Sequence, residues 1–242
     1  MYEKLKDFQA VIVSILVCIT IVLVAINTSD VIKKEEISVT GSAYKIVKSD
    51  IGILRIEIKA SNAIKSNAYN IIQKQIPIVK NYIKAQGFID SEITLLTPNN
   101  YPTYIYDSKT GFSTNQIDKY NFTQAIQVKS ENVDKIKALA LDAQTLLSQN
   151  IDLNVNTPKY YYSKLGEIKV ELLKEASLDA KLRAQGMLSA TKNSVGKIHS
   201  VRMGVFQITP PDSNDVSDLG MNDTSSIDKK VTAVANVIFG IK

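Results

Sequence analysis

An uninterrupted apolar stretch at residues 8–26, FQAVIVSILVCITIVLVAI, is the feature that most constrains this chain. It contains no charged residue, and its only polar members are Gln9, Ser14 and Thr20. As a helix rising ~1.5 Å per residue, it would measure about 28 Å, close to the ~30 Å thickness of a bilayer's hydrocarbon core. We therefore expect one transmembrane helix that ties the remaining chain to a membrane.

The stretch can be interpreted as a retained signal anchor or as a cleaved signal peptide. A signal peptide has a basic head, an apolar region of about 7–15 residues and a small-x-small cleavage site. Here the head, residues 1–7, mixes basic and acidic residues, and residues 24–30 offer no such site. Cys18 lies in the middle of the run, where it is typical of a small apolar helix residue rather than a lipidation site. We favour the anchor.

Flanking charge does not decide the orientation of the anchor. Lys4 and Lys6 precede it, and Lys33 and Lys34 follow it, so the positive-inside count is balanced. A short head followed by an anchor normally exports what comes next. We therefore expect a single-pass protein of the inner (cytoplasmic) membrane, with its C-terminal part in the periplasm or outside the cell.

Residues 27–36 form a polar linker, and residues 37–242 are long enough for a globular domain with a real core. The chain has a formal net charge of +5, but its only arginines are Arg55, Arg183 and Arg202. Nucleic-acid readers cluster their charge and use arginine for bidentate contacts, whereas these lysines are scattered among acidic residues. We expect no nucleic-acid partner. With no cysteine beyond Cys18, the domain has neither a disulfide nor a redox-active thiol.

Hydrophobic periodicity predicts an α+β domain with a largely antiparallel sheet and three packed helices. The order is β-β-α-β-β-α-β-α-β-β. The predicted strands are 37–47, 52–60, 91–107, 116–130, 153–163, 197–209 and 229–242; the predicted helices are 62–86, 132–147 and 165–193; residues 210–229 are predicted to be a long exposed loop.

Several local features refine this prediction. The first two strands should form an antiparallel pair across a short turn. Pro77 should kink or briefly break its helix, and Pro158 is typical of an edge or a bulge. In the longest helix, the core face is predicted as Leu173, Ala176, Ala180, Ala184 and Met187.

Residues 91–130 should form a long hairpin around a turn at residues 108–111. Its tyrosines are Tyr101, Tyr104, Tyr106 and Tyr120. They are either a binding strip or, as is more common in a half-buried sheet, cross-strand packing partners.

The order of several motifs resembles the SIMPL-domain family over residues 37–242. These motifs are VTGSA, QGFIDSEITLLTPNNYPTYIYD, KYNFTQAIQVKSENVDKIKALALDA, KEASLDAKLRAQGML, VGKIHSV and VTAVANVIF. The resemblance implies an exported bacterial protein of the periplasm or cell surface, often oligomeric, with relatives linked to oxidative-stress tolerance. It implies no catalytic residues, so none is assigned.

No constellation of catalytic, cofactor-binding or metal-binding residues is visible. His199 is the only histidine, and Ser194 or Ser200 beside it would still need an orienting acid and an oxyanion site. Residues 212–223 are rich in oxygen ligands, but Ser217 stands where a calcium loop needs glycine and Asp223 where it needs glutamate. We expect no catalytic residue, no cofactor and no metal.

Three functions remain open. The first is a non-enzymatic, membrane-anchored envelope protein that self-associates through its sheet edges and tyrosine-bearing hairpin, with a supporting role in envelope or oxidative-stress tolerance. The alternative is an exported module that binds a small molecule or protein, with a pocket between the sheet and the long helix. The third and weakest is a hydrolase. A small-molecule ligand cannot be named from the sequence.

Overall fold

A computed structural model describes residues 13–24 and 35–242. Helix α1 covers residues 13–24. The other helices are α2 Lys65–Ala85, α3 Val133–Asp142 and α4 Leu165–Ser189, with 3₁₀ turns at Asp90–Glu92 and Ala143–Gln149. The strands are β1 Glu36–Lys48, β2 Ile51–Asn62, β3 Ile93–Leu95, β4 Asn99–Tyr106, β5 Ser113–Ser130, β6 Leu153–Val155, β7 Lys159–Tyr161, β8 Val195–Met203, β9 Gln207–Thr209, β10 Met221–Asn222 and β11 Asp228–Ile241.

The predicted α+β class with largely antiparallel pairing is confirmed, but the strands form two sheets instead of one. The described residues divide into two compact units. The first comprises residues up to Ala43 with Glu171–Val205 and Ala233–Lys242, and the second comprises Tyr44–Val170 and Phe206–Thr232. Strands β1 and β11 and helix α4 each run from one unit into the other.

A six-stranded sheet forms the frame of the second unit. β2 pairs antiparallel with β5 from Gly52↔Ser130 to Asn62↔Tyr120. β3 and β4 pair with the other edge of β5, while β6 and β7 pair with β2. As the alternating sequence predicts, Leu54, Ile56 and Ile58 are fully buried. The buried faces of α2 and α3 belong to the same hydrophobic cluster.

Helix α2 is confirmed nearly as predicted. Its buried residues Ala68, Ile72, Ile76, Val79 and Ile83 follow the helical period. Gly87 has a φ of +84°, and the amides of Gly87 and Phe88 donate to the carbonyls of Lys84 and Ile83, which is a Schellman ending. The helix continues through Pro77, so of the predicted kink or break, the break does not occur.

In the first unit, β8 pairs antiparallel with β11, and β1 neighbours β11. Gly41 of β1 lies so close to α4 that a Cβ there would be 2.1 Å from the carbonyl oxygen of Ala176. The Ser42 amide donates to Asp179 Oδ2 at 2.8 Å, and this carboxylate also accepts from Arg183 Nε. The alanines of α4 therefore permit close packing of a helix on a strand.

The buried face of α4 differs in part from the predicted one. Ala176, Ala180 and Ala184 are buried as predicted, but Leu172 and Leu188 take the places assigned to Leu173 and Met187. The buried residues of α4 recur at intervals of four from Ile168 through Leu172 to Leu188. Met187 instead lies on the exposed face.

Four other element predictions are corrected. β1 and β2 do not pair, because β1 lies beside β11 while β2 lies between β5 and the β6–β7 edge. The helix predicted over 132–147 becomes α3 and a 3₁₀ turn, which exposes Leu147 and buries Leu146. The strands predicted over 153–163 and 197–209 are each split in two, at Pro158 and near Gly204. The loop after β9 contains the short strand β10.

Only part of the predicted anchor lies within the described residues. Residues 13–24 form a helix whose side chains are all exposed, whereas residues 8–12 and 25–26, the head and most of the linker lie outside the described residues. Among the described residues, no helix has both the length and the apolar character needed to span a membrane.

The contact at Gly41 gives a direct test of the packing in the first unit. We expect Gly41→Ala to reduce the free energy of unfolding by about 2 kcal/mol or more, because the new methyl group would collide with backbone atoms. Thermal or urea denaturation measures this change. As a matched control, Gly186→Ala should stabilise α4 by roughly 0.5–1 kcal/mol, since a Cβ at Gly186 meets open space. Equal effects of both substitutions would contradict the packing described.

Candidate functional site

The outer half of the β4–β5 hairpin is a two-stranded arm. The pairing of β2 with β5 ends at Asn62↔Tyr120, so residues 113–119 of β5 have β4 as their only strand neighbour among the described residues. We call residues 103–119 the hairpin arm. Both of its edges carry backbone groups that no third strand pairs, which is the usual starting point for strand addition from another chain.

The turn of the hairpin arm is well ordered by local hydrogen bonds. The amide of Asp107 donates to the Phe112 carbonyl at 3.0 Å, and the amide of Gly111 donates to the Asp107 carbonyl at 2.8 Å. Gly111 has a φ of +73°, which favours glycine. The Lys109 amide donates to Asp107 Oδ1, which lowers the pKa of that carboxyl. The predicted turn is therefore confirmed.

The arm exposes a set of large apolar side chains. Tyr106 is 68% exposed and Phe112 is 76% exposed. Tyr104, Ile105 and Ile117 are also exposed, as is Tyr101 just before the arm. Only Tyr120, among the four predicted tyrosines, packs against the hydrophobic cluster. The packing interpretation thus holds for Tyr120, and the other three tyrosines are available for contact with a partner.

The charges on the hairpin arm balance. Asp107 and Asp118 are matched by Lys109 and Lys119, so the arm has no net charge. Two copies of the same arm would therefore meet without the repulsion that like-charged surfaces suffer.

His199 lies in the first unit on β8, where its Nδ1 is 2.6 Å from Glu36 Oε1. Ser194 Oγ donates to the carbonyl oxygen of Lys242, and the structure shows no hydrogen bond from Ser200 Oγ to the imidazole among the described residues. The histidine is thus paired with an acid and with neither of the serines considered from the sequence.

The loop at residues 212–223 uses its last carboxylate internally. Asp223 Oδ1 accepts from the amide and hydroxyl of Ser225 at 2.8 and 2.7 Å, and Oδ2 accepts from the amide and hydroxyl of Ser226. Lys229 Nζ lies 3.5 Å from Oδ2. Within the described residues, no three acidic, histidine or cysteine side chains come together as a metal site.

Lys229 was not anticipated from the sequence. It is only 3% exposed, and its Nζ donates to the carbonyl oxygens of Asp223 and Ser226 at 2.6 and 2.8 Å. Burial lowers the pKa of Lys229, and the attraction of Asp223 opposes this shift. The available sequence signal was Asp223 with serines two and three residues later, a pattern typical of a side-chain-capped turn.

Most of the chain matches a known protein family. A family described as SIMPL, a protein of unknown function (DUF541), matches residues 37–239. The chain belongs to the SIMPL family. This confirms the resemblance seen in the motif order, and it places Gly41 within the matched region. A comparison with curated proteins found no match.

The Asp223 network predicts a specific dependence of stability on pH. Burial raises the pKa of Asp223, but hydrogen bonds from Ser225 and Ser226 and the charge of Lys229 outweigh burial and lower it below 3.8. Its stabilising effect is therefore complete above pH 3.8 and is lost as pH falls through the folded-state pKa. We expect Asp223→Asn to cost about 1–3 kcal/mol at neutral pH and less in acid.

Denaturant unfolding of both proteins across this pH range measures the difference. Asp215→Asn is the matched control, because Asp215 is an exposed aspartate of the same loop that accepts from Ser213 Oγ. It should change stability by less than about 0.5 kcal/mol. A pH-independent cost of Asp223→Asn would show that ionisation of Asp223 does not stabilise the fold.

Proposed function

We propose that this chain is a non-enzymatic, membrane-anchored envelope protein that forms a homo-oligomer through its hairpin arm. The observation that carries the proposal is the arm itself, a two-stranded ribbon with exposed Tyr104, Ile105, Tyr106, Phe112 and Ile117. A two-stranded hairpin is marginally stable in water without a third strand or a packing surface. Association with a partner would supply both.

A second copy is the occupant that best fits the arm. Each copy has the same free edges and the same apolar side chains, so two arms can pair through a self-complementary, two-fold contact. Because residues 103–119 carry no net charge, two arms meet without net electrostatic repulsion. Pro102 lacks an amide hydrogen, and β4 has register shifts beside Tyr104, which restrict pairing to the arm and oppose open-ended sheet growth.

Removing the apolar side chains of the arm should separate the copies. We expect full-length protein extracted in detergent to be oligomeric. In the double variant Tyr106→Ser with Phe112→Ser, the dissociation constant of the oligomer should rise by at least about tenfold, because two large apolar groups leave the interface. Mass photometry or light scattering across a dilution series measures the mass.

The matched control is Val216→Ser with Leu219→Ser, which removes two exposed apolar side chains from the loop after β9. This control should remain oligomeric, and circular dichroism should show that both variants keep their fold. A strictly monomeric parent protein at working concentration would contradict the proposal. So would an arm variant with the parent's mass.

Helix α1 supports the anchoring part of the proposal. Its side chains are exposed, and most are large and apolar, which suits a lipid environment better than water. The one threonine in it, Thr20, donates to the carbonyl oxygens of Leu16 and Val17 at 3.1 and 2.8 Å, so its hydroxyl is satisfied within the helix. This arrangement is compatible with burial in hydrocarbon.

Charged residues in α1 should release the protein from membranes. We expect Leu16→Lys with Val17→Glu to move the protein from the membrane fraction to the soluble fraction, because each charge costs roughly 2.5–3.5 kcal/mol at the centre of a bilayer. Membrane flotation followed by immunodetection measures the distribution. Val216→Lys with Leu219→Glu places the same charges on an exposed loop and should leave the distribution unchanged. Continued membrane association of the α1 variant would argue against the anchor.

The remaining parts of the proposal rest on the sequence and the family. Export places the residues after the anchor in the periplasm or outside the cell. Family resemblance supports a contribution to oxidative-stress tolerance, but direct thiol chemistry is unsuited to this chain, whose single cysteine is Cys18 in the anchor. We therefore propose that the assembled envelope protein contributes to this tolerance through a structural role.

A further inference from the structure

The second unit contains a cavity of about 760 Å³. Its walls are the exposed face of α3, the connection between β6 and β7, and residues 210–212 and 225–228. The volume is in the range typical of small-molecule sites. No residue of the hairpin arm lines this cavity. It lies against α3 and has no lining residue from α4, the helix beside which the sequence placed a pocket.

One wall of the cavity is fixed by backbone hydrogen bonds. The Tyr160 amide donates to the Thr224 carbonyl at 2.7 Å, and the Ser49 amide donates to the Ile227 carbonyl at 2.8 Å. Between these two bonds, the buried Lys229 ammonium binds the carbonyl of Ser226. Because this wall is already held in place, a ligand would not have to order it on binding.

Tyr160 presents an unused polar group to the cavity. The residue is 5% exposed, and its hydroxyl makes no hydrogen bond to any described residue. Burial raises its pKa, and the negative charge of Asp134 raises it further, so the hydroxyl stays protonated at neutral pH. Among the described residues, the buried polar atoms that lack a partner do not include this hydroxyl, so it is accessible to solvent. A ligand oxygen in the cavity would supply a hydrogen-bond partner in place of water.

The charges around the cavity have both signs. Lys48 and Asp134 neutralise each other in an ion pair of 2.8 Å. Lys137, Asp212 and Asp228 also line the cavity, and none of them forms an ion pair with another described residue. Apolar lining is supplied by Leu141, Pro158, Pro210 and Pro211. Among the described lining residues, the cavity thus offers the Lys137 cation, the carboxylates of Asp212 and Asp228, of which Asp228 also attracts Lys48, and an apolar surface.

We propose that this cavity binds a small zwitterion with an apolar body, of the amino-acid or short-peptide class. In this assignment Lys137 and the Tyr160 hydroxyl receive the ligand carboxylate, Asp212 or Asp228 receives the ammonium, and the prolines and Leu141 contact the apolar part. A simple carboxylate would contact only Lys137 among these charged groups, and a simple amine only the aspartates. The zwitterion is the class that contacts charges of both signs.

The probe for this proposal is the dipeptide leucyl-leucine, titrated into full-length detergent-solubilised protein by calorimetry or by protein-observed NMR. We expect saturable binding that weakens by about tenfold or more when the dipeptide is N-acetylated, and likewise when it is C-amidated, because each change removes one charge-assisted contact. Absence of saturable binding by leucyl-leucine overturns the proposal. Equal binding of the blocked dipeptides overturns the zwitterion assignment.

Variants then locate the site. Tyr160→Phe keeps the ring and removes only the hydroxyl, and it should weaken binding by roughly three- to tenfold. Tyr161→Phe is the matched control, because the next residue of β7 points to the opposite face of the strand and does not line the cavity. Lys137→Gln should weaken the parent dipeptide but should not affect its C-amidated form. If Tyr160→Phe and Lys137→Gln both bind like the parent, the cavity is not the site.

This proposal does not depend on self-association. The variant Tyr106→Ser with Phe112→Ser should bind leucyl-leucine as the parent protein does, since the hairpin arm does not line the cavity. Dissociation of that variant with retained binding would support both proposals. Loss of dipeptide binding in an arm variant that keeps its fold would contradict the location of the site.

Discussion

The antiparallel pairing of β2 with β5 is the constraint on which the second unit depends. Its register, from Gly52↔Ser130 to Asn62↔Tyr120, places Leu54, Ile56 and Ile58 on the buried face, which belongs to the same cluster as α2 and α3. A shift of one residue would turn every buried side chain of β2 to the opposite face. The same pairing also decides where the sheet ends, because β5 continues beyond the last residue of β2.

Both proposed sites follow from this arrangement. The hairpin arm exists because β5 extends beyond the end of β2, which leaves β4 and β5 as a ribbon without a third strand. The cavity exists at the other edge, where Pro158 divides the strand beside β2 into β6 and β7. Buried polar groups then fix its wall, and Lys229 is stabilised by Asp223 and two carbonyl oxygens. The exposed apolar side chains of the arm and the polar lining of the cavity thus both depend on the strand order of one sheet.

Local sequence patterns predicted most elements but not their partners. The alternation in β2 and the helical period in α2 are properties of consecutive residues, so they can be read directly. The pairing of β1 with β11 joins residues about 200 positions apart, and no local pattern encodes it. The stripe of α4 was misplaced by one residue at each end, since Leu172 and Leu173 are equally apolar and only packing distinguishes them.

The sequence by itself determined the apolar stretch at residues 8–26, the α+β class, the turn at Gly111 and the SIMPL motif order. These depend on composition and on short-range periodicity, which one chain displays without folding. Only the tertiary structure decided that Gly41 touches α4, that Lys229 is buried and that Tyr160 lines a cavity. Each of these depends on contacts between residues far apart in the chain, and burial and hydrogen-bond partners are properties of those contacts.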